Sequence, residues 1–325
     1  MTKKKPILVI RLSAIGDIIL AASLMGQFAE EGREIHLLVK DAYRSIGSSL
    51  PGVQTVWSWD RERALISSRI TQYDAVLDLQ GTRKTKNWSR KFEIPVHVYR
   101  KPYLRRALLL LTKSNRFALD HVVERYGKAA APLLQKPFDH QPRVLNMLGV
   151  EVASVPKDPI ALVIGGTHSG KKLSYEGWKK VITSLKPLNR SIVLLGGPEE
   201  AGIGEALEQP LGSGITNYCG KLSLLASIEV VKNAAVVITG DTGLMHASAL
   251  FGRPVISLWG ATHPSLGFTP WPAQPQERMI ITKSLWSPAS KHGQRPFWMP
   301  NPMKKLPLEK ILVLTAQILQ DKTKP

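Results

Sequence analysis

The stretch Ile7-Leu8-Val9-Ile10-Arg11-Leu12-Ser13-Ala14-Ile15-Gly16-Asp17 decides the fold class. Its first four residues are apolar and mostly β-branched, as in a strand buried on both faces. A short loop follows, and then an apolar helical pattern from Ile18 to Phe28. A strand feeding a helix through a loop is the opening of a parallel α/β sheet. Further apolar runs of strand length at Ile35–Val39, Thr55–Trp57, Ala75–Leu79 and Val96–Val98 leave room for helices between them. The polar, proline-bearing Val155-Pro156-Lys157-Asp158-Pro159 then has the composition of a linker. Beyond it a second series begins, with strands expected at Ile160–Ile164, Ser191–Leu195, Thr216–Tyr218, Ala235–Thr239 and Val255–Leu258. Helices are expected near Tyr175–Lys186, Glu199–Leu207, Leu222–Lys232 and Leu244–Leu250. The expectation is two α/β domains, 1–155 and 156–325, the second ending in an amphipathic helix over 306–321 that is free to return to the first.

The chain has 325 residues, enough for two such cores. Its 43% hydrophobic and 21% charged residues exclude wholesale disorder. The longest strongly apolar run, Ala107–Leu111, is far short of the roughly 18 residues of a membrane span. The lysine-rich start lacks the apolar stretch and cleavage site of a signal peptide, so a mature cytoplasmic chain is expected. A single cysteine, Cys219, fits a reducing compartment. Charge is the anomaly: 44 Lys+Arg against 25 Asp+Glu gives +19, and Arg83–Arg116 alone holds 11 basic side chains and one acidic. Such a balance points to a polyanionic partner or surface.

Several motifs sit at strand ends, where open α/β sheets place ligands. In Ser13-Ala14-Ile15-Gly16-Asp17, Gly16 permits close backbone approach, and Asp17 is either a general base or a helix cap. Asp241-Thr242-Gly243-Leu244-Met245-His246 follows a β-rich run and opens a helix, with Asp241 and Thr242 as caps and N–H groups free for an anion. Gly165-Gly166-Thr167-His168-Ser169-Gly170-Lys171-Lys172 is glycine-rich and ends in two lysines, but it lacks the spacing of a nucleoside-triphosphatase loop. Gly196-Gly197-Pro198-Glu199-Glu200 offers carboxylates either to ribose hydroxyls or to its own helix start. No His, Cys and Asp spacing suggests a metal site. Three anion-binding strand ends in one domain and an isolated carboxylate in the other suit transfer from a diphosphate-activated donor.

In this order the motifs resemble glycosyltransferase family 9, the lipopolysaccharide heptosyltransferases, over nearly the whole chain. The resemblance rests on Ile7 to Asp17, Tyr73-Asp74-Ala75-Val76-Leu77-Asp78-Leu79-Gln80-Gly81, His121-Val122-Val123-Glu124-Arg125, Lys171 seven residues before Trp178, Gly196 to Glu200, Asp241 to His246, and Arg253 to Pro264. It implies a GT-B architecture of two Rossmann-like domains facing across a cleft, the N-terminal one for the acceptor and the C-terminal one for the nucleotide-sugar. By the same implication Asp17 is the base of an inverting, metal-independent transfer of heptose from ADP-heptose to the lipopolysaccharide inner core. Thr167, Lys171, Asp241, Thr242, Gly243, Leu244 and His246 hold the donor, with Glu199 or Glu200 at its nucleoside. Ser13, Gly16, Arg61, Arg63, Gln80, Lys84 and Arg125 are assigned to the acceptor. No cofactor is implied, the nucleotide-sugar being a substrate. The basic surface implies an anionic core acceptor and peripheral contact with the inner face of an anionic membrane, with Lys101–Lys113 as the contacting stretch. Where many relatives carry cysteines, the segment Trp286–Pro296 has none.

Two other readings share these residues: the same scaffold using another nucleotide-sugar or acceptor, and a basic nucleic-acid-binding protein. The second lacks the interleaved aromatics of a stacking platform and any helix-turn-helix signature, so no nucleic acid is expected.

Overall fold

The computed structural model describes residues 5–152, 154–212 and 214–321, which form two compact units. One comprises the chain to Tyr103 together with Asp120–Leu148; the other comprises Leu104–Leu119 and the chain from Gly149 onward.

The first unit runs β1 (Ile7–Ile10), α1 (Ile15–Ile19), α2 (Ala22–Glu30), β2 (Ile35–Val39), α3 (Arg44–Ser48), β3 (Val53–Ser58), α4 (Arg63–Ser68), β4 (Ala75–Asp78), α5 (Arg83–Ser89) and β5 (Val96–Val98). Next along the chain come α6 (Tyr103–Thr112) and α7 (Val122–Ala130). The strands pair in parallel in the order β3-β2-β1-β4-β5, with Ile7 opposite both Ile35 and Ala75. All four β1 side chains are fully buried, which accounts for the absence of polar alternation. The expected single helix over 18–28 is two: the bond from Ala21 N–H reaches back only to Ile18, which tightens the backbone between α1 and α2.

The second unit runs β6 (Ile160–Val163), α8 (Tyr175–Leu185), β7 (Ile192–Leu195), α9 (Ala201–Leu211), β8 (Ile215–Asn217), α10 (Leu224–Lys232), β9 (Val236–Gly240), α11 (Gly243–Leu250), β10 (Val255–Trp259), β11 (Met279–Ile281) and α12 (Glu309–Asp321). Its parallel order is β11-β10-β9-β6-β7-β8. Ser174 caps α8 and Ser223 caps α10, each accepting from an N–H three residues on. Among the described residues no helix is long and apolar enough to cross a membrane.

One placement differs from the expected boundary. All but the first residue of α6, with the turn after it, belongs to the second unit, because Leu109 and Leu119 are buried there with Leu266 beside Leu110, Phe117 and Phe268. The terminal helix α12 packs on α8, β9 and β10 of its own unit. Ile311 and Ile318 join the core that holds Trp178 and Ile182, and full burial of such side chains stabilises by about 1.5–3 kcal/mol each.

The end of the first unit is clamped by Arg143. Its guanidinium donates to Glu30 Oε1 at 2.9 Å and to both oxygens of Asp139 at 2.7 Å. These bonds hold the Asp139 carboxyl at about 2, below its usual range, and lower that of Glu30 as well. Both carboxylates are more than a third exposed, so Arg143→Met is expected to cost only about 1 kcal/mol at neutral pH. Because the folded-state value is depressed, this contribution is present above the ordinary carboxylate range and disappears as pH falls through about 2. Melting curves of parent and variant should therefore differ at pH 7 and converge in strong acid. A constant difference across that range would show that Arg143 acts through packing alone.

Candidate functional site

In the first unit the strand order reverses between β1 and β4, and the loops after both strands meet there. Asp17 lies in the first turn of α1. The helix is capped by Ala14 with no side-chain bond, so the N-cap alternative for Asp17 does not apply. Its carboxylate instead pairs with the Arg11 guanidinium and accepts from Tyr126 Oη at 3.3 Å. Arg11 is buried and anchored through Nη1 to the Leu79 carbonyl at 2.7 Å. Burial pulls its pKa down, but the charge of Asp17 outweighs that with help from the fields of Tyr126 and Tyr99, and the guanidinium stays charged. Burial pushes the Tyr126 phenol well above its ordinary value, so it remains a donor.

Ser13 and Gln80 come together, the Ser13 N–H donating to Gln80 Oε1 at 3.3 Å. The turn after Gln80 needs glycine: Gly81 has φ +52°, and a Cβ there would meet the Tyr99 carbonyl oxygen at 2.5 Å. Asp78 braces that turn by accepting from Gly81 N–H at 2.8 Å; its burial raises the carboxyl pKa. Arg125 donates to Tyr99 Oη at 2.6 Å and lines a cavity of about 570 Å³ with His97, Arg100 and Lys128. Arg63 and Lys84 converge on the Trp59 ring, 4.8 and 5.3 Å from its centroid. Arg61 instead forms a surface ion pair with Asp41 at 2.8 Å.

In the second unit the order reverses between β6 and β9. Lys171, from the loop after β6, reaches Asp241 after β9 at 2.8 Å, with both side chains largely buried. Thr242 alone caps α11, accepting from Met245 N–H at 3.3 Å; Asp241 is committed to Lys171 and does not share that role. Gly243, Leu244 and the buried His246 lie among the first four residues of α11. Thr167 is exposed in the β6 loop. The two carboxylates left open by the sequence separate here. Glu200 is buried, accepting from Lys172 Nζ at 2.5 Å and from Gly197 N–H at 2.9 Å, whereas the Glu199 side chain is 87% exposed. A later loop packs on this lysine: Gly293 has φ +79°, and a Cβ there would lie 2.7 Å from Lys171 Cγ.

Sequence reasoning missed Arg11, Tyr126 and Tyr99. Arg11 carries a local signal, a charge placed directly after an all-apolar strand, but the tyrosines arrive from elements remote in sequence. Among the described residues no three His, Cys, Asp or Glu side chains gather as a metal group would.

The glycosyltransferase family 9 (heptosyltransferase) model matches residues 63–297. Lipooligosaccharide heptosyltransferase 2 of Haemophilus influenzae is 28% identical over 145 residues, 43% of this chain and only 41% of that protein. Lipopolysaccharide heptosyltransferase 1 of Salmonella typhimurium is 25% identical over 289 residues, 80% of this chain and 90% of that protein. Among solved structures, the E. coli heptosyltransferase WaaC with ADP superimposes with a TM-score of 0.68 at 20% identity, covering 96% of this chain and 99% of that one, a likeness of fold. Two parallel-sheet α/β units and this family match agree with the GT-B expectation. The chain belongs to glycosyltransferase family 9, the heptosyltransferases, and is a glycosyltransferase.

Proposed function

We propose that the protein transfers heptose from ADP-heptose to the inner core of lipopolysaccharide, with inversion and without a metal, at the inner face of the cytoplasmic membrane. One observation carries this reading: the two Rossmann-like units present opposite chemistry at their strand-order reversals, a carboxylate in the first and a lysine beside a helix N-terminus in the second. The names of the relatives and the ADP held by the E. coli neighbour support the choice of sugar and nucleotide.

In this scheme the acceptor belongs to the N-terminal residues 1–155 and the donor to residues 156–325. Asp17 Oδ takes the proton of the acceptor hydroxyl as its oxygen attacks the anomeric carbon. The bond from that carbon to the diphosphate oxygen breaks on the opposite face, and ADP leaves. Arg11 and Tyr126 hold the carboxylate in place. Lys171 and the N–H groups of Gly243 and Leu244 meet the charge that grows on the diphosphate, in the manner of an oxyanion hole. Thr167, Asp241, Thr242 and His246 complete the cradle, and Glu199, the exposed carboxylate of the pair, faces the nucleoside. Ser13, Gly16 and Gln80 border the acceptor hydroxyl, and Arg61, Arg63, Lys84 and Arg125 take the anionic groups of the core.

The test is transfer from ADP-heptose to a heptose-free core acceptor in EDTA. Product of inverted anomeric configuration is expected. Activity only with another nucleotide-sugar would move the specificity, and activity restored by added divalent ions would remove the metal-free step.

A further inference from the structure

The second unit exposes large apolar side chains that its core does not use. Phe297 is 97% exposed, Leu285 90%, Leu111 80% and Leu104 76%, with Trp298 and Trp286 also open to solvent. A soluble surface tolerates scattered apolar residues, such as Ile203 and Val313 of the same unit, but these six fall in two stretches of chain. Both stretches are free of acid: 104–119 holds Arg105, Arg106, Lys113 and Arg116, and 283–305 holds Lys283, Lys291, Arg295, Lys304 and Lys305, with no Asp or Glu in either.

The stretches touch. Lys113, just past the end of α6, donates to the Pro288 carbonyl, and Leu110, Phe117 and Phe268 pack on the cluster of Leu109, Leu119 and Leu266. Lys291 lies 5.4 Å from the centroid of that Phe268 ring. Trp286 and Trp298 meet edge to face at 5.8 Å, which draws the two ends of the loop together. Leu109 anchors α6 inward, while Leu104 and Leu111 remain outside.

We propose that α6 and the 285–298 loop form one surface that inserts into the headgroup region of an anionic lipid bilayer. Tryptophan and phenylalanine seat at the boundary between headgroups and acyl chains, and lysine and arginine around them meet lipid phosphates. The charge selects lipid over a second copy of the chain, because two such surfaces face to face would oppose cation to cation. This deepens the membrane contact proposed above and adds to α6 a loop from the far end of the sequence.

The test uses the full chain and sedimentation with vesicles of phosphatidylcholine, with and without phosphatidylglycerol. Binding is expected only with the anionic lipid and should weaken with salt. F297S/W298S and, separately, L104D should each lower partitioning on the order of tenfold. Transfer to a lipid-free soluble acceptor should be unchanged in both, which also shows that the variants fold. Absence of binding to anionic vesicles, or binding that neither variant weakens, overturns the proposal. A concentration-dependent dimer abolished by F297S/W298S would likewise overturn it, by assigning the surface to a second copy. Loss of heptosyl transfer in the parent with vesicle binding intact would defeat the functional reading and leave this surface standing.

Discussion

Asp17→Asn is expected to lower kcat by 10²–10⁴-fold, the usual contribution of a positioned general base, while the affinity for ADP stays at the parent value. The amide keeps the shape and a carbonyl oxygen for Tyr126, so geometry alone does not account for the loss. ADP affinity is the internal control, because every residue assigned to the donor lies in the other unit. The variant also leaves the buried Arg11 charge without its carboxylate, so a lower melting temperature should accompany the kinetic effect. A variant that transfers heptose at close to the parent rate would remove Asp17 from the chemistry. A variant that loses ADP binding as well would point to a disturbed fold.

Lys171→Met should cost 10²–10³-fold in kcat/KM and weaken ADP, as removal of a single stabiliser of developing charge does elsewhere. Stability should fall too, by about 3 kcal/mol, since Asp241 is then an unpaired, largely buried carboxylate. The double variant K171M/D241N separates these effects. It removes both charges together, so calorimetry should find much of the lost stability restored while transfer and ADP binding remain poor. If the double variant regains transfer along with stability, Lys171 serves only to neutralise Asp241.

The first half of the fold was readable because its strands are continuous apolar runs. Ile7–Ile10, Ile35–Val39 and Val96–Val98 appear with the expected bounds, although only Ile7–Ile10 is buried at every position. The three-residue β11, Met279-Ile280-Ile281, was not among the expected strands. The break between α1 and α2 was invisible: no proline or glycine marks it, and a single tightened bond produces it. At the candidate site, Asp17, Lys171 and Thr242 could be singled out from the sequence because strand-end position is a local property. Their partners were not all found. Asp241 was read as a cap because the same residue types serve caps and ion pairs, and only the placement of Lys171 across the sheet distinguishes them.

The chain crosses between its units after Tyr103, Leu119 and Leu148, with consequences for inheritance. A single genetic crossover near Leu148 would pair the first unit of one enzyme with most of the second unit of another. It would also deliver a foreign α6 to the Leu266 and Phe268 that bury Leu109, Leu110 and Leu119 here. Such hybrids begin with a mismatched apolar cluster in the second unit. The two units of this enzyme are therefore expected to diverge by substitution within one lineage rather than by exchange of halves.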